Sequence, residues 1–184
     1  MNCLQHFRTL AKYNARMNQQ VISAASQLSH EQLMEDRGAF FKSILGTLNH
    51  ILVGDLIWLR RFAAYPRQES KFKHLNTLSD FPEISGLGQI IYPDFDEYKT
   101  ARLSLDVIIT NWINEELTET DLDSTFTYQN MKDESHDKNF GEVLSHLFNH
   151  QTHHRGQVST LLSQQGIDIG VTDYLVDIKQ LIAL

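Results

Sequence analysis

Val143-Leu144-Ser145-His146-Leu147-Phe148-Asn149-His150-Gln151-Thr152-His153-His154-Arg155-Gly156-Gln157-Val158-Ser159-Thr160-Leu161-Leu162 contains no proline, and its apolar residues recur at helical period. Val143, Leu144, Leu147, Val158, Leu161 and Leu162 form the stripe that a helix must bury against a neighbour. The pattern predicts a helix over about 140–165, stopped at Gly166, the residue best able to take a left-handed backbone at a helix end. A helix this long needs partners of similar length.

Three more are written upstream. Leu4, Phe7, Leu10, Ala11, Asn14, Met17, Asn18, Val21 and Ala25 predict a first helix over about 3–28. Ser29, three residues ahead of Gln32, then marks a short capped turn. A second helix runs from about Ser43, a plausible cap, to Ala64, with Ile44, Leu48, Ile51, Leu52, Leu56, Trp58 and Leu59 apolar and Pro66 closing it. A third spans about 94–116. The intervening 65–93 holds Pro66, Pro82 and Pro93 with Gly86 and Gly88, which predicts a long connection with little room for regular structure. Alternating Ser124-Thr125-Phe126-Thr127-Tyr128 predicts one short strand or hairpin near 122–139, and the tail from Tyr174 a final helical turn or two. The expected fold is all-α, a four-helix bundle forming one domain over 1–184, with links long enough for a topology other than simple up-and-down.

Composition narrows the function. The 184 residues carry 16 basic and 23 acidic side chains, a net charge of −7. No basic stripe is present to neutralise phosphates, which argues against nucleic acid as a partner. Apolar runs are short and interrupted, so a membrane span is not expected either. With no export signal and a single cysteine, Cys3, the sequence predicts a cytoplasmic protein without disulfides or cysteine metal clusters. Eight acids between Glu115 and Asp137 face only Lys132. That segment reads as a solvated connector kept extended by self-repulsion, or as a rim that repels anions and attracts cations.

Nine histidines are informative through their spacing. His150 and His154 stand four apart on one face of the last helix, the separation at which two imidazoles converge on one ion. His50 lies inside an otherwise apolar run of the second helix, where an unpartnered imidazole would be costly. Facing the pair across the bundle, it would complete a three-histidine set with an open coordination position, the catalytic type of zinc site. The same spacing also fits a core histidine and a polar surface row extended by His146.

Tyr13-Asn14-Ala15-Arg16-Met17-Asn18, then Leu48-Asn49-His50-Ile51-Leu52 with Asp55 and Trp58, and above all Asn149-His150-Gln151-Thr152-His153-His154-Arg155-Gly156-Gln157 resemble the DinB-like (DinB/YfiT) proteins over roughly 3–166. The resemblance implies a four-helix bundle with a divalent metal on three histidines, carried over to His50, His150 and His154. It also implies a small-molecule substrate and homodimers. The superfamily includes thiol-dependent transferases that use bacillithiol or mycothiol, so a low-molecular-weight thiol is the implied cosubstrate. Three imidazoles suit zinc, nickel or iron.

Neighbouring residues carry their own expectations. His153, about 100° round the helix from His154, is exposed or supports a ligand. Arg155 caps, pairs with a carboxylate or binds an anionic substrate group, because a guanidinium beside a dication is repulsive. Asn14 and Asn18 either line the pocket or hydrogen-bond helix to helix. Asp55 supports a ligand or forms a surface ion pair, with Arg60 or Arg61 nearby. Gln151 stands where a zinc protease would carry its glutamate, which argues against peptide hydrolysis. Two readings follow: a metal-dependent enzyme, either a thiol-dependent S-transferase or a hydrolase, and a non-catalytic helical stress-response or ligand-binding module whose metal is structural or vestigial.

Overall fold

Four long helices begin where a side chain accepts from their free amides. A computed structural model describes residues 2–65 and 72–180. In it Asn2 caps α1 (Cys3–Ala25), Ser43 caps α3 (Ile44–Ala63), Asp94 caps α4 (Phe95–Asn111) and Asn139 caps α6 (Phe140–Ser163). Ser29 and Gln32 form the capping box of the short α2 (His30–Met34). Gly166 closes the turn after α6 at φ +75°, the left-handed conformation that glycine adopts without a Cβ clash. Pro66 and residues 181–184 lie outside the described residues.

The long helices pack as a bundle in which α1 lies against α4 and α6, and α3 against α6. Leu45, Leu52, Leu56, Leu59, Leu105, Leu144 and Leu162 are fully buried in the core, which also encloses polar side chains such as Asn18, Asp55, Arg102 and Gln151. β1 (Thr125–Gln129) and β2 (Ser135–Asn139) pair antiparallel, Thr127 opposite Asp137, as the expected hairpin. Phe126 points inward and stacks on Phe62, which also meets Phe140 and Trp112. That aromatic cluster fixes the hairpin against one end of the bundle and sets its turn, 130–134, beside α3.

Two expectations are corrected. The connection after α3 is not free of regular structure: Lys73–Asp80 is a 3-10 helix. Phe72, Leu75, Leu78 and Phe81 are buried and recur every three residues, which matches the 3-10 repeat of three per turn and not the α period. The acidic 115–137 segment is not an extended solvated link. Glu116 accepts from the Lys73 and His74 amides, Glu115 meets the His74 ring at 2.8 Å, and Glu119 accepts from Leu4 N. Asp121 completes a capping box with Thr118 on α5 (Glu119–Leu122). These acids serve as acceptors for helix starts, which disperses their repulsion.

Candidate metal centre

His50 sits in the second turn of α3, and α3 packs directly on α6, which presents His150 and His154 one turn apart. The His50 Nε2 lies 3.1 Å from His150 Nε2 and 3.2 Å from His154 Nε2. All three ligand atoms fall within 4.8 Å of one another. An ion at about 2.0–2.1 Å from tetrahedral nitrogen ligands spaces them about 3.3 Å apart, so the group could hold one ion.

The outward nitrogens decide the tautomers. His50 Nδ1 lies 2.8 Å from the Leu87 carbonyl, and His154 Nδ1 lies 2.8 Å from the Gln157 side-chain oxygen. Both partners only accept, so each Nδ1 carries the proton and donates, leaving a lone pair on Nε2. Two bare lone pairs then face each other without a shared proton, an arrangement that a cation relieves. One residue before His50, Asn49 donates to the Tyr92 carbonyl and accepts from the Tyr92 amide, tying the loop after Leu87 to α3. Phe41 stacks on the His50 ring at 3.7 Å between centroids and meets His154 edge-on.

Electrostatics keep the rings neutral. Burial pushes the His150 imidazole down to about 3, with His154, His50 and His146 adding like-charge repulsion. Burial likewise lowers His50 and His154, opposed by the Leu87 and Gln157 acceptors. Neutral imidazole is the form that ligates.

Gly54, one turn after His50, is a residue that the sequence reading passed over. A Cβ there would lie 2.7 Å from His150 Cε1, so only glycine lets that ring reach across to α3. The available signal was a glycine four residues after a histidine in an apolar helical run. Gln157, three residues after His154, was similarly unassigned.

The other site candidates lie elsewhere. His153 is exposed. His146 packs on Trp58 at 5.2 Å and stands 6.0 Å from His150, beside the triad and not within it. Arg155 points away from the histidines into the core, where among the described residues it forms no ion pair with a carboxylate. It donates to Asn14 Oδ1, to Gln151 Oε1 at 3.2 Å and to Asn18 Oδ1 at 3.4 Å. Asn18 in turn donates to both Asp106 oxygens, at 2.9 and 3.1 Å, so the asparagine pair bonds helix to helix. Asp55 is no surface partner of Arg60 or Arg61: it is buried and bound to Arg102, which also grips Asp106 at 2.8 Å. Arg60 instead donates to the carbonyls of Phe81 and Pro82. Two arginines and two aspartates, Arg102, Arg155, Asp55 and Asp106, are thus buried together inside the bundle. Burial raises both carboxyls, Asp55 to about 7, while the two aspartates hold Arg102 above its ordinary value.

The DinB family model matches residues 1–181. The chain belongs to the DinB family. A DinB-family relative, the protein DinB of Bacillus subtilis (strain 168), is 26% identical over 167 residues, covering 90% of this chain and 89% of that one. No solved structure matches. Among the described residues no helix is long and apolar enough to cross a membrane.

Proposed function

We propose that this DinB-family chain is a metal-dependent enzyme acting on a small molecule, with His50, His150 and His154 as ligands to a divalent ion. The observation that carries the reading is that the Nε2 atoms of His50 and His154 stand 3.2 Å apart while the far nitrogen of each ring meets an acceptor. Zinc, nickel or iron suits three neutral imidazoles. Held without an anionic ligand, the ion supplies a positive centre that lowers the pKa of a water or low-molecular-weight thiol brought to it, for hydrolysis or S-transfer. Leu87 and Gln157 hold the Nδ1 protons, Phe41 fixes the plane of the His50 ring, and Gly54 admits His150. The same reading takes a cytoplasmic homodimer.

Elemental analysis of tag-free protein tests it. About one equivalent of metal is expected in the parent and a large loss in His50→Ala and His154→Ala, both still folded by circular dichroism; equal metal in parent and variants would overturn the ligand assignment.

A second reading, a binding module with a structural ion, is favoured by one observation: among the described residues, the cleft beside His50 and His150 is lined by no aspartate or glutamate that could serve as a general base. On that reading metal removal lowers the melting temperature and leaves ligand affinity unchanged.

A further inference from the structure

A cleft of about 390 Å³ opens from the histidines along α3 and is roofed by the hairpin turn. His50, Gly54, Ile57, Trp58 and Arg61 form its floor, one stripe of α3 at helical spacing. Eleven residues separate His50 from Arg61, about 16 Å of helix axis. Rings bridge the interval: Arg61 lies 4.6 Å over Trp58, Trp58 meets His146, and His146 neighbours His150.

The two ends differ in chemistry. Neutral imidazoles occupy one. At the other, the Arg61 guanidinium lies against the edge-to-face pair Trp58 and, at 5.3 Å, Tyr128, with Lys132 on the roof above. Among the described residues Arg61 makes no ion pair and no hydrogen bond, whereas Arg16, Arg37, Arg60 and Arg102 each hold a carboxylate. It is partly desolvated, which lowers its pKa without discharging it. A stacked, half-buried guanidinium with five unused donors is built to receive a planar anion in two parallel bonds. A single planar guanidinium matches the two oxygens of one carboxylate.

We propose that the cleft takes an elongated organic carboxylate, its carboxylate on Arg61, its apolar body along Trp58 and Ile57, and its reacting group at the three histidines. This names a substrate class for the enzyme proposed above and rests on that reading for its reactive end only. The acidic rim that the sequence suggested would repel such an anion; Glu116, Glu119 and Asp121 are instead engaged at helix starts, and Glu134 of the turn accepts from Asn130 and does not line the cleft.

Isothermal titration with dicarboxylic monohydroxamates, succinic to sebacic, against matched alkyl hydroxamates tests both ends in zinc-loaded protein. The carboxylate is expected to improve Kd by about tenfold at one preferred chain length, and Arg61→Gln to remove that gain while leaving the alkyl series unchanged. Equal affinity of the two series, or a gain that survives in Arg61→Gln, would overturn the proposal. A protein that takes up no zinc defeats the metal reading instead. The anion end is then read in metal-free protein with 4-phenylbutyrate, where binding by the parent and its loss in Arg61→Gln supports the proposal and no binding overturns it. Arg61→Met, which keeps an unbranched chain over Trp58, repeats the comparison should Arg61→Gln fail to fold; a carboxylate gain undiminished in it would overturn the proposal.

Discussion

Gly54 Cα and the His150 ring share the space that a single methyl group would fill: a Cβ on residue 54 would stand 2.7 Å from His150 Cε1. The close approach of α3 and α6 at this point is what brings His150 Nε2 to 3.1 Å from His50 Nε2. Gly54→Ala is therefore expected to push the ring aside. Metal affinity should fall by about tenfold or more, while the melting temperature stays level or rises, because alanine is the better helix former by about 1 kcal/mol. Competition with a chromophoric chelator measures the first and calorimetry the second; unchanged affinity would show that the ring adapts.

Gln157 holds the Nδ1 proton of His154. Gln157→Leu removes that acceptor without touching the core. A loss of about 10–100-fold in metal affinity, with an unaltered circular dichroism spectrum, is expected. Gln157→Glu should retain affinity, since a carboxylate accepts the same proton.

The histidines give the metal-free protein an acid-sensitive term. Their folded pKa values lie below the ordinary value near 6.5, His150 at about 3. The unfolded chain thus binds more protons between those limits, so the contribution is present above about 6.5 and is lost as pH falls toward 3. After discounting for solvent screening, His150 should account for about 1–2 kcal/mol. Melting curves from neutral to mildly acid pH should show a steeper decline for the parent than for His150→Asn; parallel declines would contradict the burial argument.

Removing Arg102 would strand Asp55 and Asp106 in the core. Arg102→Met should cost about 3–5 kcal/mol in urea unfolding, the penalty of an uncompensated buried charge. Adding Asp55→Asn should recover part of the loss, because the variant then buries one fewer unpaired carboxylate. A double variant no more stable than the single would mean that Asp55 is already neutral in its absence. Metal content at the histidines, on the opposite face of α6, should change little in either.

The local signals were strong enough to read the elements directly. Ser43, Gln32 opposite Ser29, and Gly166 act where their chemistry placed them, and the helices at 3–25, 44–63, 95–111 and 140–163 follow the apolar period within a few residues. The hairpin was equally visible in its alternation. The 3-10 helix at 73–80 was hidden by the proline count of its surroundings, although its three-residue apolar repeat was in the sequence throughout.

By itself the sequence determined which residues must be helical, which stripe each helix buries, and that His150 and His154 share a face, because these follow from period and local bonding within one segment. Only the tertiary structure decided that His50 meets them, that the Leu87 carbonyl orients the His50 ring, and that Arg155, Asn14 and Asn18 turn to the core. Adjacent residues on α6 face different neighbours: His154 looks to α3, Arg155 to α1. Which neighbour each one finds is set by the packing of helices more than a hundred residues apart along the chain, and no spacing within a single helix contains that information.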